Sequence, residues 1–197
     1  MLVFYFAPGA SSMATHIALH EVGATFEPRP LSFAKKEQHH PDFLAVNPEG
    51  LVPTLVVDGR CITEVAATLY YLARRYPEAK LLPGHDLVAE AQALSWMSFI
   101  ATTIHWGQRR GMDAVKYAWG MAEAKMTGRE WALERYSIAD IHLFRLFWRL
   151  MGVHPTMGEA LPTISAHYRR MMARPAVKRT IEIESAIGYE LPQWQPR

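Results

Sequence analysis

Strand signals stop near residues 82–86, and that break constrains the fold more than any other feature of the chain. Ahead of it, short apolar stretches alternate with segments of helical spacing. Behind it, from about Asp86 to Ser185, every apolar pattern repeats at the helical period, which no sheet-forming chain sustains. The expected rear helices are Val88–Gly107, Met112–Met126, Ile138–Met151, Leu161–Ala173 and Ala176–Ala186. An α/β front followed by an all-α rear is the fold class this pattern implies, with domains at residues 1–81 and 87–197.

Leu2–Phe6 is an apolar, aromatic run of strand type, ended by the turn residues Ala7-Pro8-Gly9. A helix opens at Met13, with Ile17, Ala18 and Val22 at helical spacing and Gly23 as its stop. Phe26–Leu31 reads as a second strand, but Pro28 and Pro30 cannot donate to a ladder and demand an edge position. A short helical turn is expected around Asp42–Val46. Leu55–Val57 and Arg60–Ile62 flank Asp58-Gly59, the strongest hairpin signal in the chain. Thr63 is expected to cap a following helix whose inner side carries Val65, Ala66, Leu69, Tyr70 and Leu72. The β-α-β order requires a right-handed crossover and so a parallel pair.

Composition narrows the classes of function. At 197 residues, half hydrophobic and 20% charged, the chain can bury a substantial core and is not a disordered polymer. Its net charge of +2 forms no basic stripe, which argues against nucleic acid as a partner. Mean hydropathy is −0.06, and charged residues or histidine interrupt the apolar runs short of ~18 residues, so no membrane partner is expected. The start lacks the basic leader of a secretory signal. Its one cysteine, Cys61, excludes an internal disulfide and suits a reducing cytoplasm. Cys61 sits in the hairpin and is expected in the core. His39-His40 with Asp42 nearby invites a metal reading, but adjacent histidines diverge and a third ligand is missing, so no metal is expected.

Two local patterns carry chemistry. In Asn47-Pro48-Glu49-Gly50-Leu51-Val52-Pro53, a proline stands directly before a strand. A cis Val52-Pro53 bond would turn the Val52 N–H and C=O toward a peptide-like ligand; a trans bond would leave a plain loop. In Thr63-Glu64-Val65-Ala66, the helix start offers free N–H groups to a carboxylate, and the Glu64 side chain can receive an ammonium. Together these would hold an α-amino-acid head group. The plainer alternative is a capping glutamate.

Taken in this order, the two patterns resemble the thioredoxin-like domain of the glutathione transferases, with Val52-Pro53 at the family's cis-proline and Thr63-Glu64 at its glutamyl-recognition turn. The rear agrees. Ser137-Ile138-Ala139-Asp140 is an S-x-x-D capping box, flanked by Tyr136 and Ile141, and Arg174-Pro175-Ala176-Val177 matches the family's late helix junction. Phe4-Tyr5, Pro8-Gly9-Ala10, His16-Ile17-Ala18-Leu19 and Trp96–Thr102 with His105 are similar to the bacterial beta class. The resemblance implies a glutathione transferase fold, glutathione as co-substrate, a small electrophilic acceptor, a role in detoxification and a two-fold homodimer.

The resemblance also assigns residues. The beta-class cysteine falls on Ser11, its site histidine on His105 and its asparagine on Ser98. Without a thiol at Ala10-Ser11-Ser12-Met13, a dithiol mechanism or a mixed disulfide there is excluded. Ser11 or Ser12 can instead donate a hydrogen bond to the glutathione sulfur and favour its thiolate, or simply cap the helix. Val65 replaces a common serine and leaves its backbone N–H to bind. His105 can polarise a reacting group or compensate a helix dipole. Trp106 and the other rear tryptophans are core or acceptor-site wall, and Lys35 or Lys36 stands where the family has a lysine for the glycine carboxylate or is a solvated loop lysine. The alternative function is a non-catalytic protein of the same fold that binds glutathione or an apolar ligand.

Overall fold

A computed structural model of the chain describes residues 1–84, 86–108 and 110–191. Strands β1 (Leu2–Phe6), β2 (Glu27–Pro30), β3 (Thr54–Val57) and β4 (Arg60–Thr63) form one mixed sheet in the order β2-β1-β3-β4. β1 and β2 are parallel, joined through α1 (Met13–Glu21), and β3 runs antiparallel to both β1 and β4. The prolines of β2 lie on an edge, where a missing N–H breaks no ladder. The β3–β4 hairpin turns at Asp58 and Gly59 with φ of 47° and 81°, the positive values a tight two-residue turn requires.

Helix α2 (Pro41–Leu44) follows the loop after β2, and α3 (Val65–Arg75) follows β4. The rear helices are α4 (Leu87–Phe99), α5 (Met112–Met126), α6 (Ile138–Val153), α7 (Pro162–Ala173) and α8 (Pro175–Ile187). The architecture is the expected one, a thioredoxin-like four-stranded unit followed by helices. α4 does not run on as an α-helix through residue 107, as its spacing predicts; Ile100–His105 winds as a π-helix. Nothing in the apolar pattern distinguishes the two windings.

The chain forms two compact units, Met1–Ala79 with residues 175–191, and Lys80–Arg174. The rear boundary expected from sequence, a helical domain at 87–197, therefore differs at its end: α8 packs with α1 in the first unit. Its inner stripe of Ala176, Val177, Thr180 and Glu184 is buried there. The first core centres on Phe4, Phe6, Met13, Ile17, Leu55, Leu69 and Leu72. The second centres on Trp119, Phe144 and Phe147, with Trp119 edge-on to Phe147 at 5.1 Å.

Cys61 is exposed on the edge strand β4 rather than buried in the core, because its side of the hairpin faces out. Partial desolvation of the thiol, and then the nearby Glu49 carboxylate, push its pKa up, which disfavours the thiolate. Among the described residues, one helical stretch, Leu87–His105, is long and apolar enough by length and composition to cross a membrane, with a mean hydropathy of 1.2; Glu90 and the closing His105 interrupt it, as the apolar pattern of the sequence has it. Only 28% of that window is buried within the chain, and Leu87, Val88 and Leu94 are exposed.

Candidate active site

Register brings the candidate segments of the first unit to one end of the sheet. Tyr5 and Thr63 both pair with Thr54, and Phe6 pairs with Pro30. So β1 leaves toward Ser11, β2 toward Lys35, β4 toward Glu64, and β3 enters from Val52, all at the same end of the sheet.

Asn47 builds the approach to Val52. It is 1% exposed, and its amide donates to the Leu51 carbonyl and to Thr54 Oγ1, each at 2.9 Å. Its carbonyl oxygen accepts from the Glu49 N–H at 3.0 Å. A buried amide satisfied on both ends fixes the loop around it. The Val52-Pro53 bond that follows is cis.

The two serines part company. Ser12 is fully buried and its hydroxyl donates to the Ala7 carbonyl and accepts from the Ala7 N–H, both at 3.2 Å. It closes the turn and faces inward. Ser11 is half-buried, and its hydroxyl donates to the Val52 carbonyl at 3.0 Å.

Thr63 does not cap α3; it is the last residue of β4, and Glu64 takes the N-cap position. Glu64 has φ 67° and ψ 133°, a left-handed conformation unfavourable for a glutamate, and its side chain makes no capping hydrogen bond. The capping-glutamate alternative fails. A strained non-glycine residue with an exposed carboxylate at a helix start is the kind of outlier that accompanies ligand binding. Val65, next to it, is buried and opens the helix. Lys35 and Lys36 are exposed; Lys36 has φ 57°, and the Lys35 N–H donates to Ser32 Oγ at 3.1 Å.

The remaining candidates lie in the helical unit. Ser98 is exposed and its carbonyl accepts from Thr102 Oγ1 at 2.9 Å, just before the π-helix that ends at His105. π-turns of this kind recur at functional sites. Trp106 is 55% exposed. His142 of α6 is buried beside His105; burial first, then the charges of His105 and Arg145, lower its pKa to about 3, so it stays neutral. His40 Nδ1 lies 3.4 Å from Asp42, and no cluster of three or more metal-type ligands occurs among the described residues.

Residues 1–74 match the glutathione S-transferase N-terminal domain and residues 108–175 the C-terminal domain. The glutathione S-transferase GstA of Escherichia coli O157:H7 is 32% identical over 93% of this chain and 98% of its own. A sphingomonad glutathione S-transferase solved with glutathione superposes with a TM-score of 0.82, at 30% identity over 93% of this chain and 98% of that one. The bacterial beta-class enzyme of Sphingomonas chungbukensis gives 0.83, at 31% identity over 92% and 98%. The fold and the loops clustered at one end of the sheet define a thioredoxin-like transferase. The chain belongs to the glutathione S-transferase family.

Proposed function

We propose that the protein joins the sulfur of glutathione to a small electrophilic acceptor. The observation that carries this reading is the 3.0 Å bond between the Ser11 hydroxyl and the Val52 carbonyl, at the end of the sheet where the Glu64 turn also emerges. The Val52 backbone beside Pro53 binds the cysteinyl part of glutathione, which brings the sulfur to Ser11. Glu64 receives the γ-glutamyl ammonium, and the Val65 N–H at the start of α3 receives its carboxylate. Lys35 or Lys36 takes the glycine carboxylate. Residues 1–81 form the glutathione-binding domain; Ser98 takes the place of the family's glutathione-contacting asparagine, and His105 and Trp106 serve the acceptor.

In the reaction the thiol proton leaves to solvent, the Ser11 hydroxyl turns its one proton from the Val52 carbonyl to the resulting thiolate, and a sulfur lone pair forms the new bond to the electrophilic carbon as the leaving group departs with its electron pair. Ser12 is set aside for this role, since its hydroxyl closes the Ala7 turn. Calorimetry with glutathione beside turnover of a chlorodinitrobenzene-type acceptor tests the reading. Ser11→Ala should keep glutathione affinity within a few-fold, raise the pKa of the bound thiol and lower turnover. If thiolate formation is untouched, the sulfur contact lies elsewhere.

The second reading, binding without turnover, draws on the same bond: the Ser11 proton is already engaged by Val52. Binding with no turnover on a broad electrophile panel selects it. We also assign a two-fold homodimer, in which a second copy covers the exposed apolar residues Leu87, Val88 and Leu94 of α4. Light scattering should return about twice the 22.4 kDa chain mass; a monomer at micromolar concentration contradicts it. A cytoplasmic, detoxifying role fits the single cysteine and an apolar-acceptor chemistry.

A further inference from the structure

We propose that Glu184, near the C-terminal end of the chain, is a positioning residue for the thiol-activating Ser11, an inference that rests on the glutathione-binding reading above. Glu184 lies on the inner stripe of α8 and is fully buried. Both carboxylate oxygens are engaged. Oε1 lies 2.8 Å from Nδ1 of His16, itself 1% exposed on α1, and Oε2 accepts the Gly9 N–H at 2.6 Å across 175 residues of sequence.

Gly9 stands two residues before Ser11, with φ 73°, in the turn Ala7–Ser12. The far side of that turn is pinned by the Ser12 hydroxyl to Ala7, and its helix continuation by the His16 N–H to the Ser12 carbonyl at 3.0 Å. Glu184 thus holds the turn at Gly9 and the helix at His16 with one side chain, and Ser11 lies between the two holds. The space over Gly9 is filled by the same C-terminal segment: a Cβ there would stand 2.8 Å from Leu191 and 2.9 Å from Tyr189.

Stability does not require this choice. A buried carboxylate is costly to desolvate, and a well-packed apolar side chain at such a position is often as good or better. What an apolar residue cannot do is fix a backbone N–H in place. The hydroxyl that would steady a thiolate must be held to a fraction of an ångström, since small misplacements of a reacting group reduce rate steeply.

The test compares Glu184→Ala with Glu184→Gln, whose amide can still accept from Gly9 and face His16. At a temperature where both are folded by circular dichroism, Glu184→Ala should exchange the amides of Ala7 and of residues 9–12 roughly tenfold faster, with α6 unchanged. Its kcat with glutathione and chlorodinitrobenzene should fall roughly ten- to a hundredfold while KM for glutathione stays within about threefold. Glu184→Gln should restore both. Parent-like exchange and kcat in Glu184→Ala overturn the proposal, as does an equal loss of kcat in the two variants. If Glu184→Ala does not fold, Glu184→Leu supplies the same comparison with a packed side chain. If the parent binds glutathione but turns nothing over, the transferase reading falls. The exchange rates and the thiolate absorbance of bound glutathione then decide the positioning role by themselves.

Discussion

Asp140→Ala is expected to destabilise the helical unit by about 3–5 kcal/mol, because the change leaves several buried donors without an acceptor. Asp140 is fully buried at the start of α6. One oxygen accepts from the Ala132 N–H at 2.7 Å and faces Nε2 of His167 at 3.0 Å. The other accepts from the Ser137 N–H at 2.8 Å and from its hydroxyl at 3.0 Å. The carboxylate therefore closes the capping box and also fastens the stretch before it and helix α7. Chemical denaturation measures the effect, with an unchanged slope and a lower midpoint. Asp140→Asn should lose less, since one carbonyl acceptor remains. A loss below about 1 kcal/mol in the alanine variant would reduce Asp140 to an ordinary helix cap.

Glu64→Gln should weaken glutathione binding roughly ten- to a hundredfold, the range of one charge-assisted hydrogen bond between a carboxylate and an ammonium. The substitution keeps the length of the side chain and its planar end, so circular dichroism and the start of α3 should not change. The backbone argues for the same role. Glu64 holds a φ of 67°, in which glycine would be at ease, and its side chain is not engaged in capping. A residue kept there against its own preference is serving something other than the helix. Calorimetry on Glu64→Gln and Ser11→Ala side by side separates binding from activation. Parent-like affinity in Glu64→Gln would overturn the placement of the γ-glutamyl group.

Local chemistry was legible wherever residues close in sequence decide the outcome. Asp58-Gly59 dictates a hairpin because both positions need positive φ, and the strands observed on either side differ from the expected ones by a single residue. Ser137 and Asp140 dictate the start of α6 because their side chains reach backbone groups within three residues. Helix α5 runs Met112–Met126, as its apolar period predicts, and the prolines of β2 forced it to the sheet edge.

What only the tertiary structure decided concerns groups whose partners lie far along the chain or whose direction is set by packing. Ser11 and Ser12 are adjacent and chemically identical, yet one faces Val52 and the other Ala7, because the turn rotates successive side chains apart. Cys61 is outside because the sheet's strand order, not its hydropathy, leaves β4 at an edge. Glu184 carried a faint sequence signal, an acid on the apolar stripe of a terminal helix, but no spacing rule could name its partner. The hydrogen bond to Gly9 spans 175 positions, and a contact of that separation exists only once α8 has packed against α1. Sequence determines the short-range geometry of this chain through backbone preference and side-chain reach; the surroundings of Ser11, Glu64 and Glu184 are a property of the packed fold.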